Sequence, residues 1–296
     1  MKILNYGSLN IDLVYSVEHF VRTGETIAST SLRRFAGGKG LNQSVALGRA
    51  KANVYHGGKV GPDGQFLVEL LREACVDTTH LAQNGTATGT AVIQVDPAGQ
   101  NCIIIHGGAN QENTREELDR MLAPFSRGDL LLLQNEVNDL PYIIRAAKTK
   151  GMQVALNPSP ISSTLRDLPG ELVDLWILNE VEGYELTGKQ EPRNILATLG
   201  QKYPEAQIVL TLGAEGSICL DGGEMYHQPI FPVEPVDTTA AGDTFTGYYL
   251  ASIARGESIP QALRTASMAA SIAVTRPGAA PSIPGYEEVL AALKTR

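Results

Sequence analysis

Short apolar runs alternate with amphipathic stretches along this chain, and that alternation limits the folds open to it. Strands "KILNY" (2–6), "LLLLQNE" (130–136), "QVALNPSP" (153–160), "LWILNEVE" (175–182) and "QIVLTLG" (207–213) are short and nearly continuously apolar before they turn polar. Helical spacing of apolar residues marks 41–52, 64–74, 139–149, 192–202, 243–255, 259–274 and 286–294. Strands that are apolar throughout must be covered on both faces, and alternating β and α elements supply that cover. The expected fold is α/β: a three-layer α-β-α arrangement around a mostly parallel sheet. No linker divides 1–296, and 43% hydrophobic residues in 296 supply a large core, so one domain is expected.

Two segments leave the pattern. Residues 12–36 and 86–106 alternate apolar and polar positions and are rich in Thr and Ser, and Pro97-Ala98-Gly99 supplies a turn within the second. They predict a small antiparallel sheet outside the main one, acting as a lid.

Charge and cysteine content narrow the function. A net charge of −8 without a basic run argues against a nucleic-acid partner. Cys75, Cys102 and Cys219 are dispersed, which fits a reduced cytoplasmic setting and not a disulfide framework or zinc site. The opening "MKILNYGSLNID" turns polar within a few residues, unlike a signal peptide, and no apolar run has membrane-spanning length.

Polar residues end several strands: Glu136, Asn157, Asn179 and Thr211. Ligands of open α/β sheets bind outside the carboxyl ends of the strands, so four such residues predict one cleft. Polar loops alone would also put polar residues there. In "FAGGKGLNQ", Gly37, Gly38 and Gly40 let backbone approach a ligand, with Lys39 and Asn42 as polar contacts; a tight strand-to-helix turn has the same signature. Asn10 and Asp12, two apart in extended chain, face one way and suit vicinal hydroxyls, although an Asx turn would use the same pair. Asn179 and Glu182 share a helix face and suit a hydrated magnesium ion, or a helix cap. In "DTTAAGDTFTGYYL", Phe245, Tyr249 and Ile253 predict a helix opening near Ala241 or Gly242, whose free N–H groups attract anions. Asp243 in that first turn is either a helix-dipole acid or a reacting group.

The blocks "GGKGLNQSVALGRAKANVYHGGKVGPDG" and "DTTAAGDTFTGYYLASIARG" resemble the two signatures of the ribokinase family of carbohydrate kinases. "GSLNID", "NPSP", "NEVE", "TLGAEG" and "AVTRPGAAPSIP" follow in that family's order over nearly the whole chain. The resemblance implies the ribokinase-like fold and ATP-dependent phosphorylation of the terminal hydroxyl of ribose, giving ribose 5-phosphate. It implies Asp243 as catalytic base and Ala240, Ala241 and Gly242 as a backbone anion hole. Sugar contacts would be Asn10, Asp12, Gly38, Lys39, Asn42, Glu136 and Asp243. Nucleotide contacts would be Asn179, Thr211, Gly213, Gly216 and Ser267. Glu182 would serve Mg²⁺ indirectly, while Asp237, Thr239, Ala273, Arg276, Gly278 and Ser282 would form a K⁺ site, several through carbonyls. A homodimer through the lid is also implied.

Two positions depart from the family's pattern. Ser267 stands where relatives often have Asn or His beside the adenine. Phe66 stands where the first signature often ends in glycine, which predicts a local loop change. Competing readings are a kinase of another small polyol (deoxyribose, another pentose, a sugar acid or a nucleoside) and a non-catalytic sugar- or nucleotide-binding regulator, whose mark would be loss of the base or anion hole.

Overall fold

The computed structural model describes residues 1–295. Its first part runs β1 (Ile3–Tyr6), β2 (Asn10–Ser16), β3 (Ser31–Gly37), α1 (Lys39–Arg49), β4 (Val54–Lys59), α2 (Gln65–Glu73), β5 (Asp77–Ala82), β6 (Gly89–Val95), β7 (Asn101–His106) and α3 (Arg115–Leu122). The middle contains β8 (Leu130–Gln134), α4 (Leu140–Thr149), β9 (Gln153–Asn157), β10 (Leu175–Asn179), α5 (Glu180–Thr187), α6 (Pro192–Lys202) and β11 (Gln207–Thr211). The last part contains β12 (Ser217–Asp221), β13 (Glu224–Gln228), α7 (Ala241–Ala254), α8 (Ile259–Ala273) and α9 (Tyr286–Lys294).

Nine strands form one sheet in the order β13-β12-β11-β10-β9-β8-β1-β4-β5. It is parallel from β11 to β5, with β12 and β13 added antiparallel at one edge. Side-chain alternation divides the core between its two faces. Ile3, Leu130, Leu132 and Ile177 pack with Val45, Leu67, Tyr248 and Leu263 of the helices on one side. Leu4, Leu131, Leu133 and Leu178 pack with Leu118, Ile143, Ile144 and Ile195 on the other. This is the expected three-layer arrangement.

The second sheet has the order β3-β2-β6-β7. Its outer pairings, β2–β3 and β6–β7, are antiparallel, and the central β2–β6 pairing is parallel. Residues 17–30 of the expected lid segment connect β2 to β3 without strand structure. Gly99, at φ 78°, makes the turn between β6 and β7.

Several boundaries differ from the sequence reading. β8 stops at Gln134, so Glu136 lies two residues beyond it, and β9 stops at Asn157. The run 175–182 changes to helix after Asn179 because Asn179 and Glu182 form a reciprocal capping box. Strands β4, β5, β12 and β13 and helix α3 lack a long apolar run and were not expected. Phe66 lies in the first turn of a regular helix, α2, and not in an altered loop. Among the described residues, no helix is long and apolar enough to cross a membrane.

Candidate active site

The cleft lies over the carboxyl ends of the central parallel strands, between the opening turns of α1 and α7. Gly38, at φ 96°, turns the chain from β3 into α1. Gly40 then lies against β1's exit: a Cβ on Gly40 would fall 2.6 Å from the Gly7 Cα, so only glycine allows this approach. The α1 opening is thereby pressed onto the strand end that leads to Ser8 and Asn10.

On this side the expected sugar residues converge. Glu136 accepts from the Ser8 hydroxyl and, at 3.0 Å, from the Lys39 backbone N–H. Asn10 is 4% exposed, and its Oδ1 accepts from Asn110 Nδ2 at 2.8 Å. Asn110 is itself fixed by Leu9, accepting from its N–H and donating to its carbonyl. That leaves the Asn10 amide nitrogen as the group offered outward. Asp12 lies against Gly37, where a side chain would collide with its carboxylate. Burial, then the nearby Glu136 charge, pushes the Asp12 carboxyl up to about 7. Burial also raises Glu136; Ser8 and Lys39 offset part of this and Asp243 adds to it. Burial lowers the Lys39 pKa, but the charges of Asp243, Glu136 and Glu182 outweigh that and hold it above the ordinary lysine value. One cation thus sits among three carboxylates.

Asp243 is 8% exposed in the first turn of α7. Its Oδ2 accepts from Asn42 Nδ2 at 3.0 Å and its Oδ1 from Gln43 Nε2 at 2.9 Å. The turn before it holds Ala240 at φ 59°, a left-handed conformation that strains any residue with a Cβ. The three N–H groups expected to bind an anion, those of Ala240, Ala241 and Gly242, differ in their partners. Ala241 N–H donates to the Thr238 carbonyl at 3.2 Å. The N–H groups of Ala240, Gly242 and Asp243 have no acceptor among the described residues.

Two adjoining cavities flank this turn. One, of about 360 Å³, is lined by Lys39, Asn157, Asn179, Glu182 and the stretch Ala240–Asp243. The other, of about 370 Å³, is walled by Thr211, Gly213, Gly216, Phe231, Phe245, Ser267 and Val274. Both contain Thr211, Gly213, Ala241 and Gly242, so the expected nucleotide residues border one continuous depression. Behind the turn, Asp237 accepts from Thr239 N–H at 2.9 Å and Gly278 N–H at 2.8 Å, joining the two expected cation loops. Burial raises the Asp237 pKa, but hydrogen bonding from the Thr239 side chain and from the Thr239 and Gly278 N–H groups outweighs it and leaves the carboxyl below its usual value. The Arg276 guanidinium pairs with Glu288, and the Ser282 hydroxyl donates to the Ala279 carbonyl.

Sequence reasoning missed Ser8, Gln43 and Asn110, whereas Asn157, expected at the cleft as a strand-end residue, lines the cavity and accepts from Gln43. Ser8 and Gln43 lie inside the motifs already singled out. Asn110 lies in a loop where periodicity carries no signal.

A model of the pfkB family of carbohydrate kinases matches residues 1–285. The ribokinase of Staphylococcus aureus is 33% identical over 97% of this chain and 98% of its own length. The deoxyribokinase of Salmonella typhi is 30% identical over 97% of each chain. The structure of Arabidopsis thaliana ribokinase complexed with ribose and ATP superposes with a TM-score of 0.87 at 32% identity, covering 99% of this chain and 98% of that one. Its fold is ribokinase-like, and the chain belongs to the pfkB family of carbohydrate kinases.

Proposed function

We propose that this enzyme transfers the γ-phosphoryl group of ATP to the terminal primary hydroxyl of ribose, giving ribose 5-phosphate and ADP. The observation that carries this reading is the Asp243 carboxylate, held by two amides at an anion-attracting helix start between a polar pocket and an apolar cavity. The ribokinase relatives and the ribose–ATP complex of a structural neighbour support the substrates.

In this mechanism Asn10, Asp12, Gly38, Lys39, Asn42 and Glu136 hold the sugar. Asn42 Oδ1 is buried without a partner among the described residues, and a sugar hydroxyl would satisfy it. Asp243 takes the proton of the primary hydroxyl as its oxygen attacks phosphorus. The new O–P bond forms while the bond to the β-phosphate oxygen breaks, releasing ADP. Free N–H groups of the α7 opening stabilise charge on the transferring group, and Lys39 adds a positive charge. Asn179, Thr211, Gly213, Gly216 and Ser267 border the nucleotide. The small sheet acts as a lid on a one-domain kinase and excludes water.

ATP use in this family implies a divalent metal such as Mg²⁺. The described residues contain no group of three or more His, Cys, Asp or Glu side chains suited to caging one. Glu182, whose carboxylate accepts from the Asn179 backbone N–H and side-chain amide, is an oxygen donor beside the phosphate end of the cleft and would help to hold the hydrated ion. Mg²⁺ supplies charge neutralisation on the phosphates. Asp237, Thr239, Ala273, Arg276, Gly278 and Ser282 offer oxygen donors suited to K⁺, which would order the α7 opening. Dimerisation through the lid is supported by its exposed edge strand β7, where Ile103, Ile104 and Ile105 are 49%, 63% and 53% exposed. Free Cys75, Cys102 and Cys219 support a reducing, cytoplasmic setting.

The deoxyribokinase relative favours 2-deoxyribose as a second reading. A panel of ribose, deoxyribose, other pentoses, sugar acids, hexoses and nucleosides with Mg-ATP, with and without K⁺, tests both. Highest kcat/KM on ribose supports the proposal, and highest kcat/KM on deoxyribose replaces it. Sugar binding without phosphorylation would instead identify a regulator.

A further inference from the structure

A buried chain of polar side chains runs inward from Asp243. Gln43 Nε2 donates to Asp243 Oδ1 at 2.9 Å, and Gln43 Oε1 accepts from Gln134 Nε2 at 2.7 Å. The same Gln134 nitrogen donates to Asn5 Oδ1 at 2.9 Å. Asn5 Nδ2 donates to Ser44 Oγ and to the Gly40 carbonyl, both at 2.8 Å. Ser44 Oγ meets His56 Nδ1 at 2.7 Å, and His56 Nε2 meets the Gly7 carbonyl at 3.2 Å. Gln43, Gln134, Asn5, Ser44 and His56 are all 0% exposed.

Each bond in this chain sets the direction of the next. His56 Nε2 faces a carbonyl, so it carries the ring proton and Nδ1 accepts from the Ser44 hydroxyl. Ser44 oxygen then accepts from the Asn5 amide nitrogen, and Asn5 Oδ1 requires a donor. Gln134 supplies it with one N–H and turns the other on Gln43 Oε1. Gln43 is left in the orientation that presents N–H to Asp243.

Burial pushes the His56 pKa down to about 4, so the ring stays neutral and the order does not reverse near neutral pH. The arrangement leaves Gln134 Oε1 buried without a partner among the described residues. Flipping that amide would set its oxygen against two acceptors. A side chain at Gly7 would come within 2.4 Å of that oxygen, so no other residue fits there. A buried network that keeps an unpaired atom to aim its donors invites a functional account.

We propose that Gln134 and Gln43 are positioning residues for phosphoryl transfer. Gln134 touches no substrate; it locks the Gln43 amide, and Gln43 locks the Asp243 carboxylate toward the cleft. The inference rests on the reading of Asp243 as the base.

The test uses the full chain carrying Gln134→Met, Gln43→Met, both together, or Asp243→Asn. Steady-state kinetics with ribose and Mg-ATP are measured per folded molecule, with thermal melting alongside. Gln134→Met is expected to lower kcat about 10- to 100-fold while both KM values stay within about twofold. The double variant is expected to lose no more kcat than Gln43→Met alone, because Gln134 acts through Gln43. A purely structural role would lower melting temperature and leave kcat per folded molecule unchanged. Parental kcat in Gln134→Met, or losses that multiply in the double variant, overturns the inference. If Gln134→Met does not fold, parental kcat in Gln43→Met overturns it equally. Parental kcat in Asp243→Asn would remove the base reading itself, a result separable from either.

Discussion

Asn42 Nδ2 lies 3.0 Å from Asp243 Oδ2 across 201 residues of sequence. The contact joins the first turn of α1, on the sugar side, to the first turn of α7, where phosphoryl transfer is proposed. Asp243→Asn keeps the size and removes the base. Its amide also turns one N–H₂ toward a donor that the carboxylate satisfied, either Asn42 or Gln43. The expected result is a fall in kcat of roughly 10³-fold, with sugar KM nearly unchanged. Melting should drop by a few degrees, because one buried donor loses its acceptor. Coupled ADP release and a thermal melt measure both.

If Asp12 holds the sugar as proposed, sugar binding should depend on pH. Burial, then Glu136, raises its carboxyl to about 7, so the empty site is partly protonated at neutrality. A carboxylate accepts from sugar hydroxyls at both oxygens, so ribose KM should fall as pH rises through about 7. Asp12→Asn should raise KM and remove that dependence. The linked stability has a definite sign. A carboxyl raised on folding stabilises the fold fully below its unfolded value and loses that contribution as pH rises through its folded one. The melting temperature of Asp12→Asn relative to the parent should therefore increase from about pH 4 to about pH 8. A flat difference would contradict the raised carboxyl.

The frame of the molecule was legible because burial on both faces imposes an apolar run. Strands β1, β8, β10 and β11 follow from Ile3, Leu130–Leu133, Trp176–Leu178 and Ile208–Leu210. β4 escaped because its buried positions include His56, Gly57, Gly58 and Lys59, which carry no apolar period. The cleft was legible where strand ends and helix starts leave polar residues at fixed offsets, as at Asn179, Thr211 and Asp243. Gln43 and Gln134 were not, since 91 residues separate them and only the closed sheet brings them to 2.7 Å. Ala241's engagement with Thr238 was equally hidden, because a helix start alone does not say which N–H a preceding carbonyl takes.

Arg34 and Phe66 fasten the small sheet to the main body. The Arg34 guanidinium stacks 4.2 Å from the Phe66 ring centroid, and its Nη2 donates to the Asp63 carbonyl at 2.7 Å. Arg34 belongs to β3, which leads directly into the Gly38 turn. Arg34→Ala removes both contacts, each worth about 1 kcal/mol. Ribose KM should rise several-fold while ATP KM and melting temperature change little. Phe66→Gly should produce part of the same effect. Unchanged ribose KM in Arg34→Ala would show that the fastening plays no part in sugar retention.

Ala240 holds a left-handed conformation at φ 59°. Relief of that strain in Ala240→Gly is worth roughly 1–2 kcal/mol. The larger unfolded-state freedom of glycine offsets about 0.4–1 kcal/mol of this. The variant should therefore melt slightly higher than the parent, with kcat at or below parental because the turn is freer. A lower melting temperature would place Ala240 Cβ among favourable contacts that outweigh the strain.

Ser267 lines the cavity proposed to take the base. The cavity beside it, about 370 Å³, is lined largely by apolar side chains, including Ile230, Phe231, Val233 and Phe245. Its Ser and Thr hydroxyls both donate and accept, so they do not distinguish the 6-amino group of adenine from the 6-oxo group of guanine. Pockets that select by shape discriminate by roughly 10- to 200-fold, whereas matched hydrogen bonds reach about 10⁴-fold or more. The kcat/KM ratio of ATP to GTP should therefore lie below roughly 100 at saturating ribose. An amide at this position also both donates and accepts, so Ser267→Asn should leave that ratio within the same range. A parental ratio above about 10⁴ would mean that hydrogen bonds from elsewhere in the cavity read the base.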